Sequence, residues 1–193
     1  TRVKHAILRK YLKSWFSIIG QWRSDHILYI DGFSGRGHYE DPTSEVQREG
    51  SPVIALQELS KHDSYLQKGR AVFIEKNKEY CDELNGTIQS FCRANPNISE
   101  PEVVNDSFSN ALRPVLQQIN SKRGHIGPTM LFVDPCGVDG VGIDIISSIV
   151  RSPGCEAFIF FNYDGVNRIS GLLKTSRDTP VLRDLYGSQD RVT

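Results

Sequence analysis

Five short apolar runs divide the chain, at residues 27–30, 71–74, 103–104, 130–133 and 157–161. They are rich in β-branched and aromatic residues and lack polar alternation, the pattern of strands buried on both faces. Between them, apolar residues recur every three or four positions. Residues 3–19 set Ile7, Leu8, Tyr11, Leu12, Trp15, Phe16, Ile18 and Ile19 on a broad helical face. Residues 77–91 set Tyr80, Leu84, Ile88 and Phe91 at i, i+4 spacing. Residues 53–59, 111–119 and 143–150 read as further helices. Ser51 is the expected N-cap of the helix at 53–59, with Pro52 in its first position. Strand and helix alternate, so the pattern predicts an α/β fold with a mainly parallel sheet. The polar stretch 37–50, which holds His38, Asp41, Pro42 and Glu45, reads as a loop: a lid over a site or a tolerated surface insertion. Residues 172–193 are polar with sparse apolar positions, weakly helical at best.

Each strand run ends in polar chemistry, and in doubly wound sheets ligands collect at the carboxyl ends of the strands. The first run closes with Asp31, Gly32, Phe33, Ser34, Gly35, Arg36 and Gly37. Glycines there let the backbone turn through positive φ and let a ligand approach closely. Their spacing is not the dinucleotide fingerprint, and no Lys-Ser or Lys-Thr pair makes a P-loop. The stretch resembles motif I of class I S-adenosylmethionine (SAM) methyltransferases, in the Asp-x-Phe-x-Gly-x-Gly form of nucleic-acid methylases. That resemblance makes Asp31, Gly32, Phe33, Ser34, Gly35 and Gly37 cofactor-binding candidates; the plain alternative is a strand followed by a glycine turn. His5 precedes this strand and is a further candidate for lining the cofactor pocket, although a lone His is more often structural.

The second run ends at Glu75, where a carboxylate can accept two hydrogen bonds from a ribose diol; a surface Glu at a strand end is the bland alternative. The third is followed by Asn105, Asp106 and Ser107. In methyltransferases an acid here commonly faces the adenine amine, while Asp106 or Ser107 can equally cap the next helix, and both roles fit one loop. The fourth ends Asp134-Pro135-Cys136-Gly137, at the place of motif IV of amino-methyltransferases, usually Asp-Pro-Pro-Tyr. There the polar side chain and a backbone carbonyl accept hydrogen bonds from the target amine, and the aromatic stacks on the base. The second Pro and the aromatic are absent here, which argues against adenine-N6 transfer. The fifth ends at Asn162 and Tyr163, which would face the reacting centre; Tyr163 offers the stacking face that motif IV lacks, and a polar turn is the alternative. Asp134, Pro135, Asn162 and Tyr163 are the catalytic candidates.

With 193 residues, 38% hydrophobic and 24% charged, one globular domain over 1–193 is expected. The net charge of zero means that any basic patch must be local. Arg2, Arg9 and Lys13 recur on one side of the first helix; a solvated face is the favoured reading, phosphate contact the sharper one. Four scattered cysteines without a Cys-x-x-Cys pair point to neither a zinc site nor a disulfide framework, so no metal is expected. There is no signal peptide or membrane span, which makes a reducing cytoplasm the expected location. The chain starts at Thr1 and its single Met is Met130, so it reads as a piece of a longer protein.

The ordered set of motifs resembles the three-Cys-motif partner (TcmP) proteins, a bacterial and phage-associated group. The resemblance rests on Val3 through Leu12, on Tyr29 through Tyr39, on Gly50-Ser51-Pro52, on Asp134 through Gly137 and on Asn167-Arg168. Family members mostly carry Ala in place of Ser34 and Phe in place of Cys136. A more distant resemblance is to ribosomal-RNA adenine-N6 methyltransferases, which share the early Lys-His and the glycine-rich start. Together these imply a Rossmann-like class I methyltransferase fold, a mainly parallel doubly wound sheet lacking the usual C-terminal strands. They imply SAM as cofactor and methyl transfer to nucleic acid, with a three-Cys-motif protein as partner. The alternative is a non-catalytic SAM- or nucleotide-binding protein that works with a neighbouring gene product. A dinucleotide oxidoreductase is weaker because the glycine spacing is wrong.

Overall fold

Tyr29 and Ile30 are adjacent in sequence and enter different hydrophobic cores. They belong to β1 (Ile27–Asp31), the middle strand of the five-stranded sheet formed by the described residues, and successive side chains of a strand point to opposite faces. The computed structural model describes residues 2–21, 26–40, 47–62, 68–119, 126–135 and 140–160. The other strands of this sheet are β4 (Gly69–Ile74), β5 (Glu102–Val104), β6 (Thr129–Val133) and β7 (Glu156–Ile159). Every pairing is parallel, in the order β5-β4-β1-β6-β7. The chain thus winds one way from β1 through β4 to β5, then returns to the other side of β1 for β6 and β7. This is a mixed α/β architecture compatible with a Rossmann-like fold, and its topological switch point lies between β1 and β6.

Both faces of the sheet are covered, which is why its strands read as unbroken apolar runs. On one face, α1 (Arg2–Ile19), α2 (Ser51–Ser60) and α3 (Lys78–Ala94) pack Leu12, Phe16, Leu56 and Leu84 with Tyr29, Phe73 and Phe132. On the other, α4 (Phe108–Ala111) and α6 (Ile143–Val150) pack Phe108, Ile146 and Ile149 with Ile30, Ile74, Leu131 and Val133. α5 (Arg113–Ile119) adds the half-buried Val115 and Ile119 to that second core. Truncating one of the fully buried residues, such as Leu12, would cost about 2–5 kcal/mol.

Three local expectations need correction. The polar stretch 37–50 holds an antiparallel pair, β2 (His38–Glu40) and β3 (Gln47–Glu49), with His38 opposite Glu49 and Tyr39 opposite Arg48. Strands this short and polar carry no apolar alternation to betray them. The N-cap of α2 is Gly50, not Ser51; Ser51 lies inside the first turn with its side chain buried. The helix expected at 111–119 is two, separated at Leu112, the C-cap of α4. Pro114 follows that break: it has no N–H to donate to Asn110, and its ring disfavours a helical conformation at Arg113. Among the described residues no helix is long and apolar enough to cross a membrane. The tail at 172–193 lies outside the described residues.

Candidate functional site

The glycine turn after β1 is pinned from several sides. Gly32 N–H donates to Phe132 O at 2.9 Å and Ser34 N–H to Ile74 O at 2.9 Å, so the turn is stitched to β6 and β4. Ser34 is buried and its hydroxyl donates back to Asp31 O at 3.1 Å. Gly35, in the left-handed region at φ +63°, donates its N–H to Glu75 Oε2 at 2.9 Å. The other Glu75 oxygen accepts Asn77 N–H at 2.7 Å. Glu75 therefore ties the glycine turn to the start of α3 and keeps further lone pairs for a ligand.

Gly32, Phe33, Glu75 and Asp106 come together along one cleft of about 210 Å³ at the carboxyl ends of β1, β4 and β5. Its wall is the stacked pair Phe33–Phe108, ring centroids 5.4 Å apart. Gly32 is required by that wall, since a Cβ there would lie 2.6 Å from the Phe108 ring. Asp106 Oδ1 accepts Ser107 N–H at 2.7 Å and Asn110 Nδ2 at 3.0 Å, and these bonds, Asn110 foremost, hold its carboxyl below the usual range. Ser107 is the N-cap of α4, so capping and cleft-lining coexist in this loop. Gly37 stands apart, at the foot of the hairpin, where its carbonyl accepts Gly50 N–H at 2.8 Å.

Asp31 and Asp134 flank the switch point. Asp31 is fully buried, and burial pushes its pKa up to about 7, against the pull of the Ser51 hydroxyl and of Phe33 N–H; the charge of Asp134 adds to the upward push. Asp31 Oδ1 accepts Phe33 N–H at 3.2 Å, while Oδ2 has no partner in hydrogen-bonding geometry. Asp31 lies beneath the cleft and does not line it. Asp134 is partly exposed and accepts both of its short contacts from Lys4 Nζ, at 2.7 and 2.6 Å. Lys4 also sits over the Phe160 ring, 5.2 Å from its centroid. Pro135 follows Asp134 at the end of the described segment.

His5 does not meet Glu75 and Asp106 in the cleft. It lines a separate groove of about 580 Å³ between α1 and the hairpin, edge-on to Tyr39 at 5.1 Å. Its Nδ1 is buried without a partner, and burial lowers its pKa, partly offset by Asp134. Arg9, placed with Arg2 and Lys13 on a basic face, is engaged elsewhere. It donates to the buried Glu58 at 2.9 Å, to Glu49 at 3.0 Å and to Gln57 at 2.8 Å. Asn162 and Tyr163, with Cys136 and Gly137, lie outside the described residues. Lys4, Ser51, Tyr39 and Phe108 were not among the sequence candidates. Lys4, Tyr39 and Ser51 lie within stretches that carry the family resemblance, whereas Phe108 carried no cue.

No family model matches the chain, and no curated protein matches it. Among solved structures, the crystal structure of protein LPL1258 from Legionella pneumophila str. Philadelphia 1, of family model DUF519, is similar with a TM-score of 0.57 and 13% identity. The match covers 87% of this chain and 71% of that one, and at this identity it shows a common fold and nothing about activity.

Proposed function

We propose that this chain binds SAM at the cleft after β1, β4 and β5 and transfers its methyl group to an acceptor held at Asp134, with nucleic acid as the acceptor class. The observation that carries this reading is the convergence of Glu75, Asp106 and the Gly32–Phe33 turn on one cleft, one strand away from Asp134. In this reading the Glu75 carboxylate accepts from the ribose hydroxyls and the stacked Phe33–Phe108 wall borders the adenine on one side. Methyl transfer needs little acid–base chemistry: the acceptor must be held in line with the sulfonium methyl, and positioning supplies most of the rate. Asp134 and the carbonyl beside Pro135 would orient the acceptor, with Asn162 and Tyr163 as its expected supports. Membership of the three-Cys-motif partner family, and a partner protein of that kind, belong to the same reading and rest on the sequence stretches alone.

A second reading has its own observation. Lys4 already holds both oxygens of Asp134, and Cys136-Gly137 replaces the Pro-Tyr of motif IV. A protein that reads SAM without transferring its methyl would tolerate both. Radiolabelled transfer to total RNA, DNA and protein separates the two. Methyl transfer predicts label in wild type and none in Asp134→Ala, with SAM affinity within about 1 kcal/mol. SAM binding without label, even with the neighbouring gene product added, supports the second reading.

A further inference from the structure

The large apolar side chains that stand exposed among the described residues are Val3, Ile7, Tyr11, Ile18, Val150 and Ile159, and all of them belong to α1, α6 or β7. Val3, Ile7, Tyr11 and Ile18 fall on one stripe of α1, about 22 Å long. The stripe runs beside β7, because Tyr11 stacks on Phe158 with ring centroids 5.2 Å apart and its hydroxyl donates to Glu156. Val150 ends α6 on the other face of the sheet, the face on which Ala157 packs. Strand alternation turns Ile159 to that same face. Among the described residues β7 has no neighbour on its outer side. Phe160 N–H bonds inward to Val133 O at 2.9 Å, so Ala157 and Ile159 turn their N–H and C=O groups outward. The two ends of the sheet differ. β5 is three residues long, follows Pro101 and carries the exposed Glu102, devices that keep a strand edge from pairing. β7 holds neither Pro nor Lys, and its one charged side chain, Glu156, is engaged by Tyr11.

We infer that this edge is the two-fold interface of a homodimer, in which β7 pairs antiparallel with the partner's β7 and the α1 stripe packs on the partner's α1. The positions are self-complementary. A two-fold axis at Phe158 sets Ala157 opposite the partner's Ile159 and Ile159 opposite the partner's Ala157. Each pair exchanges both backbone bonds and seats a large side chain beside a small one. Tyr11 stacks on Phe158, so the same axis passes the middle of α1. α1 runs antiparallel to β7: Lys4 bonds Asp134 beyond the carboxyl end of β6, while Tyr11 reaches Glu156 at the start of β7. Helix and strand therefore both meet their copies antiparallel about one axis. Val3 then lies opposite the partner's Ile18 and Ile7 opposite the partner's Ser14. Lys10, exposed on α1, falls beside the partner's Tyr11 and the carboxylate that this tyrosine holds, which matches charge across the axis. A face about 27 Å long and three layers deep, about 10 Å each, covers about 800 Å², what each side of a stable dimer buries. A peptide strand from another protein would use the β7 edge and leave the α1 stripe bare. The inference does not rest on the methyl-transfer reading.

The test is sedimentation velocity, with light scattering, on the full chain across a micromolar concentration series. Expected is a monomer–dimer equilibrium that ends at twice the 21.7 kDa of one chain, since a two-fold interface closes on itself. The double variant Ile7→Lys, Ile18→Lys should weaken the dimer at least about 100-fold, because each substitution acts on both sides of the axis. Ile159→Pro removes an outward N–H and should weaken it as well. Thermal melts confirm folding, and the exposed helix pair decides the matter if Ile159→Pro does not fold. An equal mixture of Ile7→Cys and Ser14→Cys chains should form a disulfide-linked dimer under mild oxidation that neither variant forms alone. A monomer at every concentration, growth beyond two chains, or a dimer indifferent to the helix variant overturns the inference. In a monomer, protection of the Ala157 and Ile159 amides from hydrogen exchange would assign the edge to the chain's own later residues, which overturns it equally.

Discussion

Lys4 Nζ donates to both carboxylate oxygens of Asp134, at 2.7 and 2.6 Å, and so ties the first turn of α1 to the end of β6. A two-point contact fixes how the carboxylate is turned, which matters if Asp134 must aim an acceptor at a methyl group. Lys4→Met keeps an apolar stem near Phe160 and removes the ammonium. We expect methyl transfer to fall at least about ten-fold while SAM affinity stays within about 1 kcal/mol, because the cleft is formed by other strand ends. Stability should change by no more than about 1 kcal/mol, as for a half-exposed pair. Parallel transfer assays, calorimetry and melts check this; faster transfer would show Lys4 to be a competitor for the acceptor's place.

Asp31 gives the molecule a pH signature. Its carboxyl is fully buried and titrates at about 7 in the folded state, against 3.8 for a free carboxyl. Between those values the folded chain keeps a proton that the unfolded chain has released, so stability falls as pH rises. The contribution is complete below about pH 4 and lost above about 7, an effect of about 4 kcal/mol at most. Asp31→Asn keeps the shape without the charge. It should match wild type in denaturant melts near about pH 3 and exceed it at about pH 8; an equal gap at both pH values would contradict the assignment.

Gly32 stands where a side chain would meet the Phe108 ring at 2.6 Å. Gly32→Ala must therefore push Phe108 out of its stack on Phe33 and deform the cleft wall. Overpacking of this kind costs about 1–3 kcal/mol of stability. SAM affinity should drop as well, which calorimetry on the folded variant would show.

Arg9 belongs to the fold. Its partner Glu58 is 1% exposed and also accepts from Lys61 Nζ at 2.6 Å. Arg9→Ala should destabilise by about 2–3 kcal/mol, less than for a fully stripped buried pair because Lys61 remains. The salt slope of nucleic-acid binding should stay as in wild type. A changed slope with an unchanged melt would return Arg9 to the basic face.

The strands were legible because β1, β4 and β6 are covered on both faces and show no polar alternation; Tyr29, Phe73 and Leu131 are buried whichever way they point. Their polar ends followed, which is why Glu75, Asp106 and the Gly32 turn could be named from spacing and found in one cleft. Contacts across long stretches of chain were not legible. Lys4 and Asp134 lie 130 residues apart, and no periodicity links a first helical turn to the end of the fourth strand of the sheet. The β2–β3 pair escaped because its residues are polar, and with it went the position of Tyr39 opposite Arg48. Ser51 looked like a cap by composition, but Gly50 takes that place and turns the hydroxyl inward towards Asp31.

The most direct test is isothermal titration of SAM into the purified chain, beside NAD and beside the Glu75→Ala variant. Glu75 bonds the glycine turn and lines the cleft, so its loss removes a charge-assisted acceptor worth about 1.5–3 kcal/mol of affinity. The account predicts saturable one-site binding of SAM, weakened by that amount in Glu75→Ala, and no binding of NAD. No heat with SAM, together with saturable binding of NAD, would contradict it.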